Sequence, residues 1–427
     1  MKTALGDRRL SRLAKRYGTP YFAYDFDGFD RQARALRDAL PRRFEIFYAV
    51  KANPSLAVLA AFARRGLGAD VASAGEIAAA LAAGFPPERL VMSGPAKSDR
   101  DLAAAVRAGI LAVNVEGPAE LDRLQAIAQA SKSRMRVQLR LNPRWRRTER
   151  IRIIGGPGAG KFGMSVSLAG EVLARRSRWP RLAISGFHVF QASNVLDARA
   201  FVGNVRRVLD LALGLARRWD VPLDLIDLGG GFGIPYQPDE KPLDRERLER
   251  GLDRVCSEIE GEERFAQTRF LFEPGRYLAG PAGVYVCRVL DVKREAGPSS
   301  TVHALVDGGI HHLLRPALVG PQPVRLIPAR GRRPGRAHPT TIGGPLCTSL
   351  DVFAGRVPLP MPEPGDLVAF SQAGAYGYTE SMPLFLSHRW PAEIGVRGGL
   401  DAPLRTPPTV AELLAAQETP RILFRRS

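Results

Sequence analysis

The sequence predicts an α/β protein, a (β/α)8 TIM-like barrel joined to a C-terminal, mostly antiparallel β domain. Three observations carry this. Short apolar runs alternate with amphipathic helical patterns between Phe44 and Phe272, eight runs in all. Eight such units in roughly 250 residues is the size of a barrel of this kind. After Glu273 the long helical patterns stop, and strand-like runs follow one another with frequent Gly and Pro. A doubly wound open sheet is the structural alternative, but no G-x-G-x-x-G follows the first strand.

Taken in order, the chain opens with a short helical pattern. Pro20-Tyr21-Phe22-Ala23-Tyr24-Asp25 then reads as a strand, expected to join the β domain. The eight barrel strands are expected at Phe44–Val50, Ala69–Ala72, Leu90–Ser93, Leu111–Val115, Arg136–Leu141, Ile184–Phe190, Leu223–Leu228 and Phe270–Phe272. Helical patterns lie between them, around 55–65, 75–83, 98–108, 117–130, 166–177, 197–218 and 244–260. The barrel is expected over 28–275 and the β domain over 1–27 and 276–400. Within that domain Val284–Val289, Val302–Val306, Val324–Ile327 and Leu367–Phe370 are strand-like. Residues 329–339 read as an exposed loop, and 401–427, Pro-rich and polar, as a loosely ordered C-terminal tail. No repeat of solenoid length occurs.

Composition excludes several classes. The 427 residues are 45% hydrophobic, enough for a large core, and every long apolar stretch is broken by Arg, Gly or Asp, so no membrane span is expected. The first residues lack the apolar core of a signal peptide, and a cytoplasmic location is expected. The net charge is +19, which raises nucleic acid as a partner. The arginines, however, are interleaved with acids in helical segments such as 31–43 and 245–254, and no aromatic–basic motif accompanies them. No nucleic-acid role is expected; attraction of an anionic cofactor and a carboxylate substrate is the simpler account. Cys256, Cys287 and Cys347 are too scattered for a disulfide framework or a zinc site. His311 and His312 are neighbours, and on a strand they would face opposite ways, so no metal site is expected.

The chemistry centres on Phe44-Glu45-Ile46-Phe47-Tyr48-Ala49-Val50-Lys51. A buried strand ends on a lone amine, Asn53-Pro54 turns the chain, and Ser55 is placed to cap the next helix. Lys51 is either a lysine that snorkels to the surface or one desolvated enough to form a Schiff base. In a barrel, chemistry sits where strands end on the C-terminal face. The residues there are Lys51, Asp70, Glu116, Asn142, His188, Gly229-Gly230-Gly231 and Glu273. A glycine triplet lets backbone N–H groups face an anion. Glu273 and Arg276 place a carboxylate and a guanidinium three residues apart at the last strand end. An amine, a phosphate-binding turn and a carboxylate able to hold a pyridinium proton are the requirements of pyridoxal 5'-phosphate.

The chain resembles the fold-type III pyridoxal-phosphate decarboxylases, the family of diaminopimelate and ornithine decarboxylases. The motifs, in family order, are Tyr48-Ala49-Val50-Lys51-Ala52-Asn53, Ala69-Asp70-Val71-Ala72-Ser73, Lys161-Phe162-Gly163, Gly186-Phe187-His188-Val189, the glycine triplet, Glu273-Pro274-Gly275-Arg276, Cys347 and Gly374-Ala375-Tyr376. The resemblance implies that Lys51 holds the cofactor covalently, with Asp70 beside it. His188 would stack on the pyridine ring and Glu273 pair with its nitrogen. Gly229, Gly230, Gly231, Ser193, Arg276 and Tyr376 would hold the phosphate. Substrate would meet Arg276, Arg315, Thr348 and Tyr376. Cys347 would reach the site from the second subunit of a head-to-tail homodimer. The expected activity is α-amino-acid decarboxylation; the alternatives are a racemase on the same barrel type and a non-catalytic carrier of the cofactor.

Departures from the diaminopimelate enzymes matter. Their Cys-Glu-Ser, whose Glu meets the distal amino group of the substrate, is here Cys347-Thr348-Ser349. Their Arg-Pro-x-x-Tyr is here Arg315-Pro316-Ala317-Leu318-Val319. The stretch Val189-Phe190-Gln191-Ala192 before Ser193 is longer than usual, and with Gly344-Pro345-Leu346-Cys347-Thr348 it looks most like the exosortase-A-associated decarboxylase subgroup. The resemblance therefore points to a modified or carrier-protein-linked amino acid as well as to a free one.

Overall fold

The computed structural model describes residues 5–143, 145, 160–190, 192–294, 301–331 and 336–418. The chain divides into two compact units, one of Met1–Asp25, Gly283–Ala373 and Gly377–Ser427, the other of Phe26–Ala282 with Gly374–Tyr376.

The first strand, β1 (Tyr21–Asp25), belongs to the first of these units. The second unit is a closed barrel of eight parallel strands: β2 (Phe44–Ala49), β3 (Gly68–Val71), β4 (Leu90–Met92), β5 (Ala112–Val115), β6 (Met135–Arg140), β7 (Leu182–His188), β8 (Leu225–Asp227) and β9 (Arg269–Phe272). The strand-and-helix alternation read from the sequence is therefore a barrel and not an open sheet: β2 pairs with both β3 and β9. The strands read as continuous apolar runs because helices cover their outer face while the barrel fills their inner one. Phe47, Val91, Leu111, Ala112, Leu225 and Leu271 form one buried cluster. Helix starts follow the expected chemistry. The Ser98 hydroxyl accepts the Asp101 N–H while Asp101 accepts the Ser98 N–H, and Ser73, Asp197 and Asp244 cap their helices in the same sense.

Ser55 differs from expectation. It stands at the start of the helix Leu56–Ala63, but its side chain makes no capping bond. Asn53 organises this turn instead, its Oδ1 accepting the Ser55 N–H at 3.1 Å and its Nδ2 donating to the Gly374 carbonyl at 3.0 Å. The strand before it is also shorter than predicted. It ends at Ala49, and Val50–Ala52 form one 3-10 turn that carries Lys51.

The other unit is a nine-stranded sheet. Its further strands are β10 (Gly283–Arg294), β11 (Val302–Val306), β12 (Val324–Ile327), β13 (His338–Gly343), β14 (Val352–Leu359), β15 (Leu367–Ser371), β16 (Ala392–Arg397) and β17 (Leu400–Arg405). The path runs β14-β13-β11-β10-β1-β16-β17, with β15 joining β10 to β12. All its pairs are antiparallel except β1 with β16 and β11 with β13. The helix Asp7–Tyr17 buries Leu10, Leu13 and Ala14 in the cluster made with Tyr21, Val284, Val286 and Ile394.

Two expectations for this unit need correction. Residues from 401 onward do not begin as a loose tail: Asp401–Arg405 continue β17, paired antiparallel with β16, and Thr409 and Glu412 form a capping box on the helix Val410–Leu414. Residues 419–427 of the predicted tail, and 332–335 of the predicted loop, lie outside the described residues. His311 and His312 lie in a turn, not on a strand, and their rings pack with centroids 3.6 Å apart.

Candidate active site

The parallel register brings the ends of β2, β3, β7, β8 and β9 together. Ala49 pairs with Asp70, and His188 pairs with Asp227. The 3-10 turn after β2 then places the Lys51 Nζ 2.8 Å from Asp70 Oδ2. Asp70 is buried, while Lys51 keeps 37% of its side-chain surface accessible. Burial opposes the ammonium charge, but Asp70, followed by Glu273 and Tyr376, outweighs it and holds the Lys51 pKa above the ordinary lysine range. Asp70 Oδ1 has no hydrogen-bond partner among the described residues.

His188 closes β7 and is fully buried. Among the described residues neither ring nitrogen has a hydrogen-bond partner; Nε2 stands 3.6 Å from Glu273 Oε2. Burial, then the nearby charges of Arg140, Lys51 and Lys97, push its pKa well below the usual value, so the imidazole is neutral. Glu273 follows β9. Burial, then Asp227 and Asp70, raise its pKa well above the carboxylate range. Asp227, the last residue of β8, is raised as well by burial, partly offset by a hydrogen bond from the Glu273 carboxyl. Its Oδ1 accepts the Gly229 N–H at 2.9 Å and its Oδ2 accepts Asn114 Nδ2 at 3.1 Å. Ser93 donates to Glu273 Oε1 at 3.3 Å. The donor atoms of His188, Asp227 and Glu273 lie within 4.8 Å of one another.

The glycine triplet is a cradle. Gly229 and Gly231 have φ of +69° and +100°, and a Cβ on Gly230 would stand 2.4 Å from the Glu273 carbonyl oxygen. Ser193 lies in the adjacent loop, where Val195 donates to the Gly231 carbonyl at 2.8 Å. Arg276 starts a short helix after β9. Its guanidinium donates to the Tyr236 hydroxyl at 2.8 Å and lies 4.6 Å from the centre of the Tyr376 ring. Tyr376, at φ +53°, is tied down by its N–H to the Ala52 carbonyl at 2.8 Å.

Eleven residues thus gather in one unit: Lys51, Asp70, His188, Ser193, Gly229, Gly230, Gly231, Glu273, Arg276, Tyr376 and, unpredicted, Asp227. Cys347, Thr348 and Arg315 belong to the other unit. Cys347 is exposed. Asp351 fixes its loop by accepting the N–H groups of Ile310 and Leu346, each at 2.8 Å. Of the other rim residues, Glu116 pairs with Arg140 and accepts the Gly163 N–H, and Asn142 donates to the Phe162 carbonyl. These bonds hold the Lys161-Phe162-Gly163 turn against the barrel. Gln191 lies outside the described residues.

The family described as "Pyridoxal-dependent decarboxylase, pyridoxal binding domain" matches residues 27–280. The chain belongs to this family. The decarboxylase is 34% identical to the L-glutamyl-[BtrI acyl-carrier protein] decarboxylase of Niallia circulans over 97% of both chains. It is 33% identical to the diaminopimelate decarboxylase of Methanothermobacter thermautotrophicus, over 99% of this chain and 97% of that one. Among solved structures, diaminopimelate decarboxylase of Helicobacter pylori in complex with L-lysine superposes with a TM-score of 0.84 at 28% identity, covering 95% and 98% of the two chains. That of M. jannaschii superposes at 0.87 and 25% identity, covering 97% and 95%. The protein is a pyridoxal-phosphate-dependent amino-acid decarboxylase. Its residues fit the cofactor: a charged amine, a buried imidazole with no hydrogen bond among the described residues, a carboxyl pair, a glycine cradle and an arginine are all present in one unit. Among the described residues no helix is long and apolar enough to cross a membrane.

Proposed function

We propose that this decarboxylase acts on an amino acid whose side chain ends without a free ammonium group, and that a glutamyl group carried as a thioester on a carrier protein is the substrate type that suits it. The observation that carries this reading is Thr348. Where the diaminopimelate enzymes place a carboxylate after the cysteine, this chain has a neutral hydroxyl whose oxygen accepts the Leu350 N–H at 3.2 Å. A threonine cannot neutralise a distal ammonium ion, so binding one here would leave its charge unpaired. The likeness to a decarboxylase of glutamyl-acyl-carrier protein supports the same reading. The net charge of +19 favours approach of an acidic macromolecular partner.

In this proposal Lys51 holds the cofactor and Asp70 keeps that amine oriented. His188 covers one face of the ring and, being neutral, adds no positive charge there. Glu273 faces the ring nitrogen. Gly229, Gly230, Gly231, Ser193, Arg276 and Tyr376 receive the phosphate. Bound pyridoxal phosphate supplies the electron sink for the pair left behind when the α-carboxylate departs as carbon dioxide. Cys347, Thr348 and Arg315 act from the partner copy of a head-to-tail homodimer, Cys347 placed to return the proton to the α-carbon. Carbon dioxide release should be measured with free diaminopimelate, ornithine and glutamate, and with glutamyl-loaded carrier protein. Higher kcat/KM on the thioester supports the reading; a preference for free diaminopimelate overturns it.

A further inference from the structure

The sequence marks Glu273 and passes over its neighbour. Asp227 is the last residue of β8, completely buried, two residues before Gly229 of the glycine loop. Two carboxyls share this closed space, with an oxygen of each within 4.8 Å of the other. Two negative charges this close and fully buried raise each other's proton affinity, so the pair holds one proton between them. The surroundings decide where it rests. Asp227 accepts from a backbone N–H at 2.9 Å and an amide at 3.1 Å, both fixed donors that favour its anion. Glu273 accepts one longer contact, from Ser93 at 3.3 Å. Asn114 is itself held by a 3.0 Å bond to the Ser93 oxygen, so the donors to both carboxyls form one network. The proton therefore sits on Glu273, and Asp227 is the carboxylate.

From this arrangement we infer that Asp227 is a positioning residue, which keeps a proton on Glu273 for delivery to the pyridine nitrogen and then holds it there. The inference rests on the reading that Glu273 faces that nitrogen. The step balances simply. The Glu273 O–H bond breaks, the ring nitrogen lone pair takes the proton, and Glu273 keeps the bonding electrons as a carboxylate. No proton need come from solvent into a site where His188 is neutral. Once it has moved, two carboxylates face one pyridinium. The other charged groups that bear on the pair are Asp70 and Lys51, with Arg140 and Lys97 beyond His188. Lys51 and Asp70 are already paired with each other at 2.8 Å. This leaves Asp227 as the second negative charge that raises the ring's proton affinity.

The test uses holoenzyme loaded with pyridoxal phosphate labelled with nitrogen-15 in the ring, whose chemical shift reports protonation directly. In Asp227→Asn the pH at which the ring loses its proton should fall by at least about one unit, tenfold in proton affinity. The kcat should drop about tenfold or more while KM stays within about twofold, because ground-state substrate contacts are untouched. Asn114→Ala removes one donor to Asp227 and should shift the ring titration in the same direction by less, so the inference stands or falls even if Asp227→Asn folds poorly. Glu273→Gln separates the two readings. If it deprotonates the ring while Asp227→Asn and Asn114→Ala leave the titration at the wild-type value, Glu273 faces the nitrogen and the role of Asp227 is refuted. If none of the three moves it, Glu273 does not face the nitrogen.

Discussion

Replacing Gly230 by alanine tests the architecture of the site most directly. The added Cβ would meet the Glu273 carbonyl oxygen at 2.4 Å. Ordinary contact at such a position begins near 3.4 Å, so the β8 loop and the end of β9 must separate by about 1 Å. The obstacle is backbone on both sides and cannot rotate away. Glu273 N–H also donates to the Gly229 carbonyl at 2.9 Å, so parting the segments weakens the bond that ties them. Overpacking of this kind costs about 1–3 kcal/mol. Displacement of the Glu273 end by about 1 Å should lower turnover on the order of 100-fold. The assay pairs urea denaturation with kcat and with cofactor retained after gel filtration. Gly203→Ala is the control: Gly203 lies inside the helix Ala198–Trp219 with nothing within 4 Å of an added Cβ. It should be neutral or stabilising by up to about 1 kcal/mol. Wild-type turnover and stability in Gly230→Ala would refute the close approach of the two segments.

Three further outcomes are expected. Lys51→Ala should abolish the borohydride-reducible cofactor link, and in wild type the reduced adduct should map by mass spectrometry to the peptide containing Lys51; a reducible link with full activity in the variant would contradict the assignment. Lys51→Ala and Cys347→Ala, each inactive, should regain about a quarter of wild-type activity when mixed under verified subunit exchange, as two-fold symmetry with a shared site requires; no recovery means that the residues act within one chain. Burial, then neighbouring histidine charge, lowers His311 and His312 to about 4 and about 2, against about 6.5 in an unfolded chain. The unfolded state therefore binds more protons below about pH 6.5, and stability present above that pH should be lost as pH falls toward 4. Urea midpoints measured from pH 7.5 to 4.5 should show this slope, and His311→Gln should flatten it.

The site was legible where one local pattern carried it. Lys51, His188, the glycine triplet and Glu273 each end an apolar run, and in a barrel all such ends meet on one face. Asp227 was not read because an acid just inside a strand looks like the start of the loop. The usable signal was its place, after Leu225-Ile226 and before Leu228-Gly229, an acid within a run whose strand is buried throughout. Asn114 carried a similar signal within Ala112–Val115, one polar side chain among apolar neighbours. The strands missed in the nine-stranded sheet are β13, β14, β16 and β17. Pro339, Pro358 and Pro403 lie on three of them, and proline argues against a strand in sequence. β14 and β17 are the two ends of the sheet path, where a missing N–H costs no ladder bond. Sheet position depends on distant partners, so the sequence near these prolines could not reveal it.

The placement of β1 has a consequence for biosynthesis. It precedes all the other described strands in the sequence, and it ends up inside the sheet, between β10 and β16. Its partners, Gly283–Val286 and Ala392–Val396, emerge only after Phe26–Ala282 is complete. The barrel is thus an insertion between two parts of one sheet, able to fold while the strand that precedes it waits. During that wait Tyr21-Phe22-Ala23-Tyr24, wholly buried in the finished protein, is an unpaired apolar edge open to wrong partners. A stall or truncation after Ala282 leaves this strand unpaired beside a barrel that still lacks Gly374–Tyr376. A circular permutant that begins at Phe26 and joins β1 to the end of the chain would shorten this exposure.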